Sequence, residues 1–188
     1  MPVVELHLIE GYSGEDRQRL CAAMTDAVRL VVPAPPEAVT VMIHEMDAAS
    51  YMRGRTAKTP APAQPSPSQV VQDYLAAMEA RDLDRAKGYL GDGFQMIFPG
   101  TDPMTTLEEL IAWSKPRYAF VKKTYEGYDE MQSAGAAAFV YCRGTLFGEW
   151  PDGTLFDGIR FIDRFEVTGG KITRQDVWND IAEVQAQS

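Results

Sequence analysis

The segment Thr59-Pro60-Ala61-Pro62-Ala63-Gln64-Pro65-Ser66-Pro67 carries a proline at nearly every second position. Proline fixes φ and removes a backbone donor, so such a run joins neither a helix interior nor a central strand. It predicts a semi-rigid, extended spacer. The 188 residues therefore read as a unit over 1–55, a linker over 56–67 and a larger unit over 68–188.

Both flanks have the composition of folded protein. Hydrophobic residues make up 45% and charged residues 24%, which excludes disorder of the whole chain. The 18 basic and 27 acidic side chains give a net charge of -9 with no basic stripe, so nucleic acid is excluded as a partner. No apolar run is long enough to span a bilayer, and the N-terminus lacks the order of a signal peptide, which predicts a cytoplasmic protein without membrane contact. Cys21, Cys142, His7 and His44 are too few and too scattered for a disulfide framework or a zinc site. A protein without metal or cofactor is expected.

Ahead of the linker the pattern is strand, helix, strand. Val3 to Ile9 alternates loosely and is rich in branched residues. Ser13 can cap a helix whose apolar stripe is Leu20, Ala23, Met24, Ala27 and Val31. Pro33, Pro35 and Pro36 end it, and Val39 to Met46 forms the second strand. So small a unit buries too little surface to stand alone, and association into a homo-oligomer is expected.

Beyond the linker, Ser68 is read as the cap of a helix with Val70, Val71, Tyr74, Leu75 and Met78 on its apolar face. Leu83, Ala86 and Leu90 form a second helical piece, ended by Gly91-Asp92-Gly93. Phe94 to Phe98 is a short strand and Thr106 to Trp113 a short helix. Four long strands follow: Val121 to Met131, Ala136 to Phe147, Thr154 to Val167 and Lys171 to Asp180. Pro151-Asp152-Gly153 and Thr168-Gly169-Gly170 supply turns between them. Helices followed by an antiparallel meander predict an α+β domain, a curved sheet closed by helices.

In the strand Ile159 to Val167, Asp163 falls in step with Ile159, Phe161, Phe165 and Val167, whereas Arg160, Ile162, Arg164 and Glu166 take the other face. A carboxyl among apolar side chains loses hydration and favours its neutral form. So held, it can donate a hydrogen bond to a carbonyl oxygen that gains charge. Tyr74, on the covering helix, is a second donor or else a core tyrosine. Asp176, Trp178 and Asp180 recur on one face of the last strand, and Asp180 is the candidate proton carrier. Phe98, Phe161, Trp113, Trp150 and Trp178 read as core or cavity walls. At the other end of the chain, removal of Met1 would give Pro2 a secondary amine able to act as a general base. His7 and His44 read as strand residues with local partners.

Pro2-Val3-Val4-Glu5-Leu6-His7-Leu8-Ile9-Glu10-Gly11 with Val41-Met42-Ile43-His44-Glu45-Met46 resembles the 4-oxalocrotonate tautomerase family over residues 2 to about 55. That resemblance implies Pro2 as proton shuttle. Tyr12 and Thr40 stand where the family carries two carboxylate-binding arginines, and Tyr51 stands at its active-site phenylalanine. A dicarboxylate would lack its bidentate partners, with Arg53 and Arg55 as other sources of positive charge. Val70-Val71-Gln72-Asp73-Tyr74, Asp82-Leu83-Asp84 and Ile162-Asp163-Arg164-Phe165 resemble ketosteroid isomerase of the SnoaL-like superfamily over roughly 68 to 180. This resemblance implies a cystatin-like cone with Tyr74 and Asp163 as oxyanion donors, a pairing for which that enzyme is the standard example. The family's basic aspartate matches Phe98, followed by Pro99. Asp180 stands where SnoaL-like cyclases and limonene epoxide hydrolases carry a functional aspartate. Arg143 matches the hydrolase arginine, and Thr145 replaces its partner aspartate.

The sequence thus describes an isomerase, tautomerase or cyclase. A small apolar carbonyl compound would contact Phe98, Arg143, Phe161 and Trp178 in the cone, while Tyr12 and Tyr51 would line a second site in the first unit. The alternative is a non-catalytic binder of a hydrophobic ligand whose first unit serves oligomerisation.

Overall fold

The computed structural model describes residues 1–186, and the chain divides into Met1–Ala63 and a second unit from Gln64 onward. In the first unit, β1 (Val3–Ile9) and β2 (Thr40–Met46) pair in parallel, in register from Val3 opposite Thr40 to Ile9 opposite Met46. Parallel neighbours need a crossover, supplied here by α1 (Gly14–Arg29). Ser13 and Asp16 close a reciprocal capping box at its start. Val31, counted in the apolar stripe from the sequence, lies past the helix end and is 85% exposed, because the proline-rich turn ends α1 first.

Alternation divides this small sheet into two faces. Val4, Leu6, Leu8, Val41 and Ile43 are half-buried, while Val3, Glu5, His7, Met42 and His44 are exposed. His7 and His44 pair across the strands and stack with ring centroids 4.9 Å apart. No residue of Met1–Ala63 reaches full burial. Thr56 and Ala57, assigned to the linker from the sequence, instead form β4 (Thr56–Ala57) opposite β3 (Met52–Arg53). Gly54 and Arg55 turn this hairpin, both at positive φ (56° and 63°).

In the second unit, α2 (Pro67–Glu79) is capped by Ser66 rather than Ser68. Pro67 explains the shift: its missing N–H and fixed φ suit the first helical position. Ser68 turns its hydroxyl and N–H to Glu130 instead. Short α3 (Leu83–Lys87) follows, capped by Asp82. Leu90, read as helical, opens β5 (Leu90–Ile97), which takes in the Gly91-Asp92-Gly93 run as an irregularity of register. α4 (Leu107–Ser114) carries a Thr106–Glu109 capping box.

The strands β6 (Phe120–Gln132), β7 (Ala138–Glu149), β8 (Leu155–Thr168) and β9 (Lys171–Asn179) complete a five-stranded sheet ordered β5-β9-β8-β7-β6. β5 runs parallel to β9 and the remaining pairs are antiparallel. Breaks in register at Tyr125/Gly127 and Leu146/Gly148 curve the sheet. At Gly144 a Cβ would stand 1.9 Å from the Thr124 carbonyl oxygen, so glycine permits the close approach of β6 and β7. Val71, Tyr74, Met96, Leu107, Val140, Phe165 and Ile172 fill the space between the helices and the concave face. Burial of each large apolar side chain contributes about 1.5–3 kcal/mol. This is an α+β cone, a curved sheet closed by helices. The last strand ends at Asn179, and Asp180 occupies the N-cap position of a final short helix, α5 (Ile181–Gln185).

Candidate functional site

β8 alternates as its sequence indicates: Ile159, Phe161, Asp163, Phe165 and Val167 are buried. Asp163 has no exposed surface, and its two oxygens differ in surroundings. Oδ2 accepts from Lys123 Nζ and from Gln175 Nε2 at 3.2 Å. Oδ1 is buried and has no hydrogen-bond partner among the described residues. A neutral, unpaired acid was expected at this position; an ion pair with an ammonium group stands there instead.

Lys123 comes from the edge strand β6. Its register partner on β7 is Leu146, which in turn faces Ile159 of β8. The long side chain therefore crosses the concave face diagonally to Asp163, and its Nζ lies 4.5 Å from the centroid of the Phe161 ring. The Lys123 side chain keeps 22% exposure, whereas Asp163 has none.

Tyr74 lies on α2 and is 1% exposed. Its hydroxyl donates to Gln175 Oε1 at 3.4 Å, so it joins Asp163 through the Gln175 amide rather than directly. Burial, and then the negative charge of Asp163, push the Tyr74 phenol well above its ordinary range. Burial acts likewise on Tyr125, whose ring stacks 5.4 Å from Tyr128 and meets Phe161 edge-on. Tyr128 is pushed up to about 12, again chiefly by burial. Cys142, opposite Asp163 in the β7–β8 register, is held as a thiol by burial and then by the Asp163 charge, its pKa pushed up to about 12.

Several residues assigned to the cone interior lie elsewhere. Asp180 follows β9 and pairs with Arg160 at 2.6 Å. Arg160 alternates out of phase with Asp163 on β8, so this pair sits on the opposite face of the sheet. Arg143 lies beside Gly127 in the register and pairs with exposed Asp129, also away from the concave face. Trp178 faces Ile162 and is 51% exposed, so it walls no cavity within this chain. Strict alternation turns Arg143 and Trp178 outward once Asp163 faces in, and Asp180 lies past the end of β9. Phe98 follows β5, half-buried, with its ring 5.0 Å from Trp113. Lys123 and Gln175 were missed from the sequence. Their signal was present but slight: Lys123 alternates with Val121 and Tyr125, and Gln175 with Val177, on otherwise apolar faces.

The first unit carries a cleft of about 380 Å³ at the carboxyl ends of β1 and β2. Tyr12 and Tyr51 line it together, with Arg53 and Lys58 from the hairpin arms. Pro2 does not line it. Pro2 precedes β1, and the six residues from there to Leu8 span about 20 Å at strand rise. Among the described residues, no three His, Cys, Asp or Glu side chains are grouped as a metal ion would need. No helix among them is long and apolar enough to cross a membrane.

Residues 2–59 match the family profile described as "Tautomerase enzyme", and residues 71–175 match "SnoaL-like domain". Curated relatives named "Probable tautomerase" in Staphylococcus saprophyticus and in Streptococcus mutans are each 39% identical over 51 residues, 27% of this chain and 84% of theirs. Among solved structures, an NTF2-like protein of unknown function from Burkholderia pseudomallei superposes with a TM-score of 0.54 at 17% identity, covering 63% of this chain and 94% of its own. TerC, co-crystallised with polyporic acid, gives 0.53 at 16% identity over 63% and 95%. Similarity at this level establishes the shared cone.

Proposed function

Because residues 2–59 belong to the tautomerase family and residues 71–175 to the SnoaL-like family, we propose that the protein is a cofactor-independent isomerase or cyclase that moves a proton next to a carbonyl. The substrate is a small, largely apolar molecule held in the cone of the second unit. One observation carries this reading: a fully buried carboxylate with one oxygen bound to Lys123 and the other unpartnered. Buried acids with an unfilled acceptor concentrate at functional sites.

In this reading Asp163 is the base rather than a neutral donor. Oδ1 takes a proton from the carbon beside the substrate carbonyl, and the electron pair of that C–H bond moves toward the carbonyl oxygen. Lys123 Nζ faces the enolate oxygen so formed and stabilises its charge at the moment it develops. The carboxyl then returns the proton at a second carbon, completing an isomerisation; in a cyclase the enolate carbon attacks an internal carbonyl instead, the C=O electron pair moves to its oxygen, and the Asp163 carboxyl gives its proton to that alkoxide. Tyr74 and Gln175 are positioning residues, since they hold Oδ2 and leave Oδ1 open. Phe161 and Phe98 supply apolar wall. Phe98 has no proton to exchange, and Asp163 takes over the work that the SnoaL-like base performs elsewhere.

In the first unit, Pro2 would act as a second proton shuttle once Met1 is removed. Since Pro2 and the cleft of Tyr12 and Tyr51 are separated by the length of β1, this second reaction requires the proline of another copy. The test for the cone is deuterium exchange from solvent into small cyclic ketones by the full chain and by Asp163→Asn. A general base of this kind contributes about 10²- to 10⁴-fold. Equal exchange in both proteins would remove the proposal.

A second reading is favoured by the outward placement of Arg143 and Asp180. The cone then binds a hydrophobic ligand without turnover, and the first unit serves assembly. Ligand binding that survives Asp163→Asn, with no exchange in either protein, selects it.

A further inference from the structure

His7 and His44 stand far apart in the sequence, yet the parallel register of β1 and β2 sets them directly opposite each other. Both are exposed, on the open face of the small sheet. Their rings stack with centroids 4.9 Å apart and planes inclined by 18°. Among the described residues, the nitrogens of neither ring enter a hydrogen bond or an ion pair. Two imidazoles so placed can serve one ion. With metal–nitrogen bonds of about 2.0–2.1 Å and ligand angles of about 90–110°, ring centroids fall about 4.5–5.2 Å apart. The observed separation lies in that interval, so the strands need not move. The rings alone must turn, about a terminal torsion that is broad for histidine.

We infer that the His7–His44 pair binds copper(II) on the open face of the first unit. Neutral imidazole suits copper, nickel and zinc, and the affinity of such a nitrogen site peaks at copper. Hard cations such as magnesium and calcium take oxygen ligands instead. The surroundings favour a cation: Glu5 is the next residue on the same face of β1, opposite Met42, and the protein carries a net charge of -9. Among the described residues no three His, Cys, Asp or Glu side chains are grouped around an ion. The ion therefore rests on two protein ligands, with water in its other positions, as in an exchangeable rather than a closed structural site. Four scattered residues excluded a metal centre on sequence grounds, and strand pairing removes the scatter for two of them. The inference does not rest on the chemistry proposed for the cone.

The experiment is titration of the full chain with copper(II), followed by electron paramagnetic resonance. Dilute protein in a Cys21→Ser background keeps self-association on this face and the half-buried thiol from competing. One ion per chain is expected, with splitting from two equatorial nitrogens. His7→Asn and His44→Asn should each weaken binding at least about tenfold and remove one nitrogen from the spectrum. Nickel(II) should displace copper only in excess, and magnesium not at all. Both side chains are exposed, so the variants should keep the native circular dichroism, and lost binding then reports ligands rather than folding. Undiminished affinity in the double variant, a spectrum without nitrogen splitting, or displacement by magnesium would each overturn the inference.

Discussion

Tyr74 and Asp163 do not touch: the Gln175 amide stands between them, accepting from the phenol and donating to the carboxylate. Two donors that the sequence aims at one substrate oxygen are thus wired in series. An amide has a fixed donor end and a fixed acceptor end, so this chain orients itself and uses up Oδ2. Asp163 Oδ1 stays without a hydrogen-bond partner among the described residues, and the Lys123 side chain keeps partial exposure.

The ion pair of Lys123 and Asp163 gives a stability test independent of substrate. Lys123→Met leaves the buried carboxylate without its counter-charge, which costs about 3–5 kcal/mol. Adding Asp163→Leu removes the stranded charge, and the double variant should recover most of that loss while showing no deuterium exchange into ketones. Urea denaturation of the four proteins in the cycle reads the coupling directly. Additive losses would mean that the two side chains do not pair in solution.

Alkaline pH should destabilise the second unit before it affects the first. The Cys142 thiol is raised from its ordinary 9.0 to about 12, and Tyr128 from 10.0 to about 12. Both are acids whose folded pKa lies above the unfolded one. Their contribution is therefore whole below pH 9 and is lost as pH climbs through 9 to 12. Urea midpoints at pH 7, 9 and 10.5 should stay level across the first step and fall across the second. In native protein at pH 8, a thiol reagent should modify half-buried Cys21 and reach Cys142 only after unfolding. Two thiols reacting at once in native protein would contradict the buried setting of Cys142.

Gly144→Ala tests the curvature that forms the concave face. Its Cβ would meet the Thr124 carbonyl oxygen at 1.9 Å, and backbone cannot move aside as a flexible side chain does. The cost should lie near the top of the overpacking range, about 3 kcal/mol. Gly153→Ala, at a turn with open space around the glycine, is the control for backbone strain alone. A Gly144→Ala midpoint no lower than that of the control would show that β6 and β7 are not so closely apposed.

The fold was legible because its signals are local. The proline run, the apolar stripe of Val70 to Met78 and the alternation of Ile159 to Val167 each act within a few residues, and the inward face of β8 followed from that strand alone. The candidate site was legible only in part, since its closing contact is diagonal. Lys123 and Asp163 lie 40 positions and two strands apart, and their register partners do not coincide. Only the curvature and the length of a lysine bring them together. Asp180 shows the opposite failure. By count it is in phase with outward Trp178 and not with Val177, which faces Asp163; the strand then stops at Asn179, and Asp180 pairs with Arg160 at the start of α5. Likewise, a family position placed Arg143 without saying which way its strand faces.

Assembly through the first unit is predicted from its want of a core. Parallel sheets are normally covered on both faces, yet here Val3, Glu5, His7, Met42 and His44 lie open and no residue of Met1–Ala63 is fully buried. So thin a unit does not offset its own chain entropy. A second copy packed on the open face would supply the missing burial, and would also provide a proline from outside the chain for the cleft. Sedimentation of the full protein should give a multiple of 20.9 kDa, and Met42→Asp should shift it toward the single chain. The same substitution should expose the first unit to protease while leaving the cone intact, because Met42 lies in Met1–Ala63 and the second unit has its own core. A single-chain species whose β1 amides are strongly protected from hydrogen exchange would show that the first unit is stable alone, and the requirement for a second copy would fall.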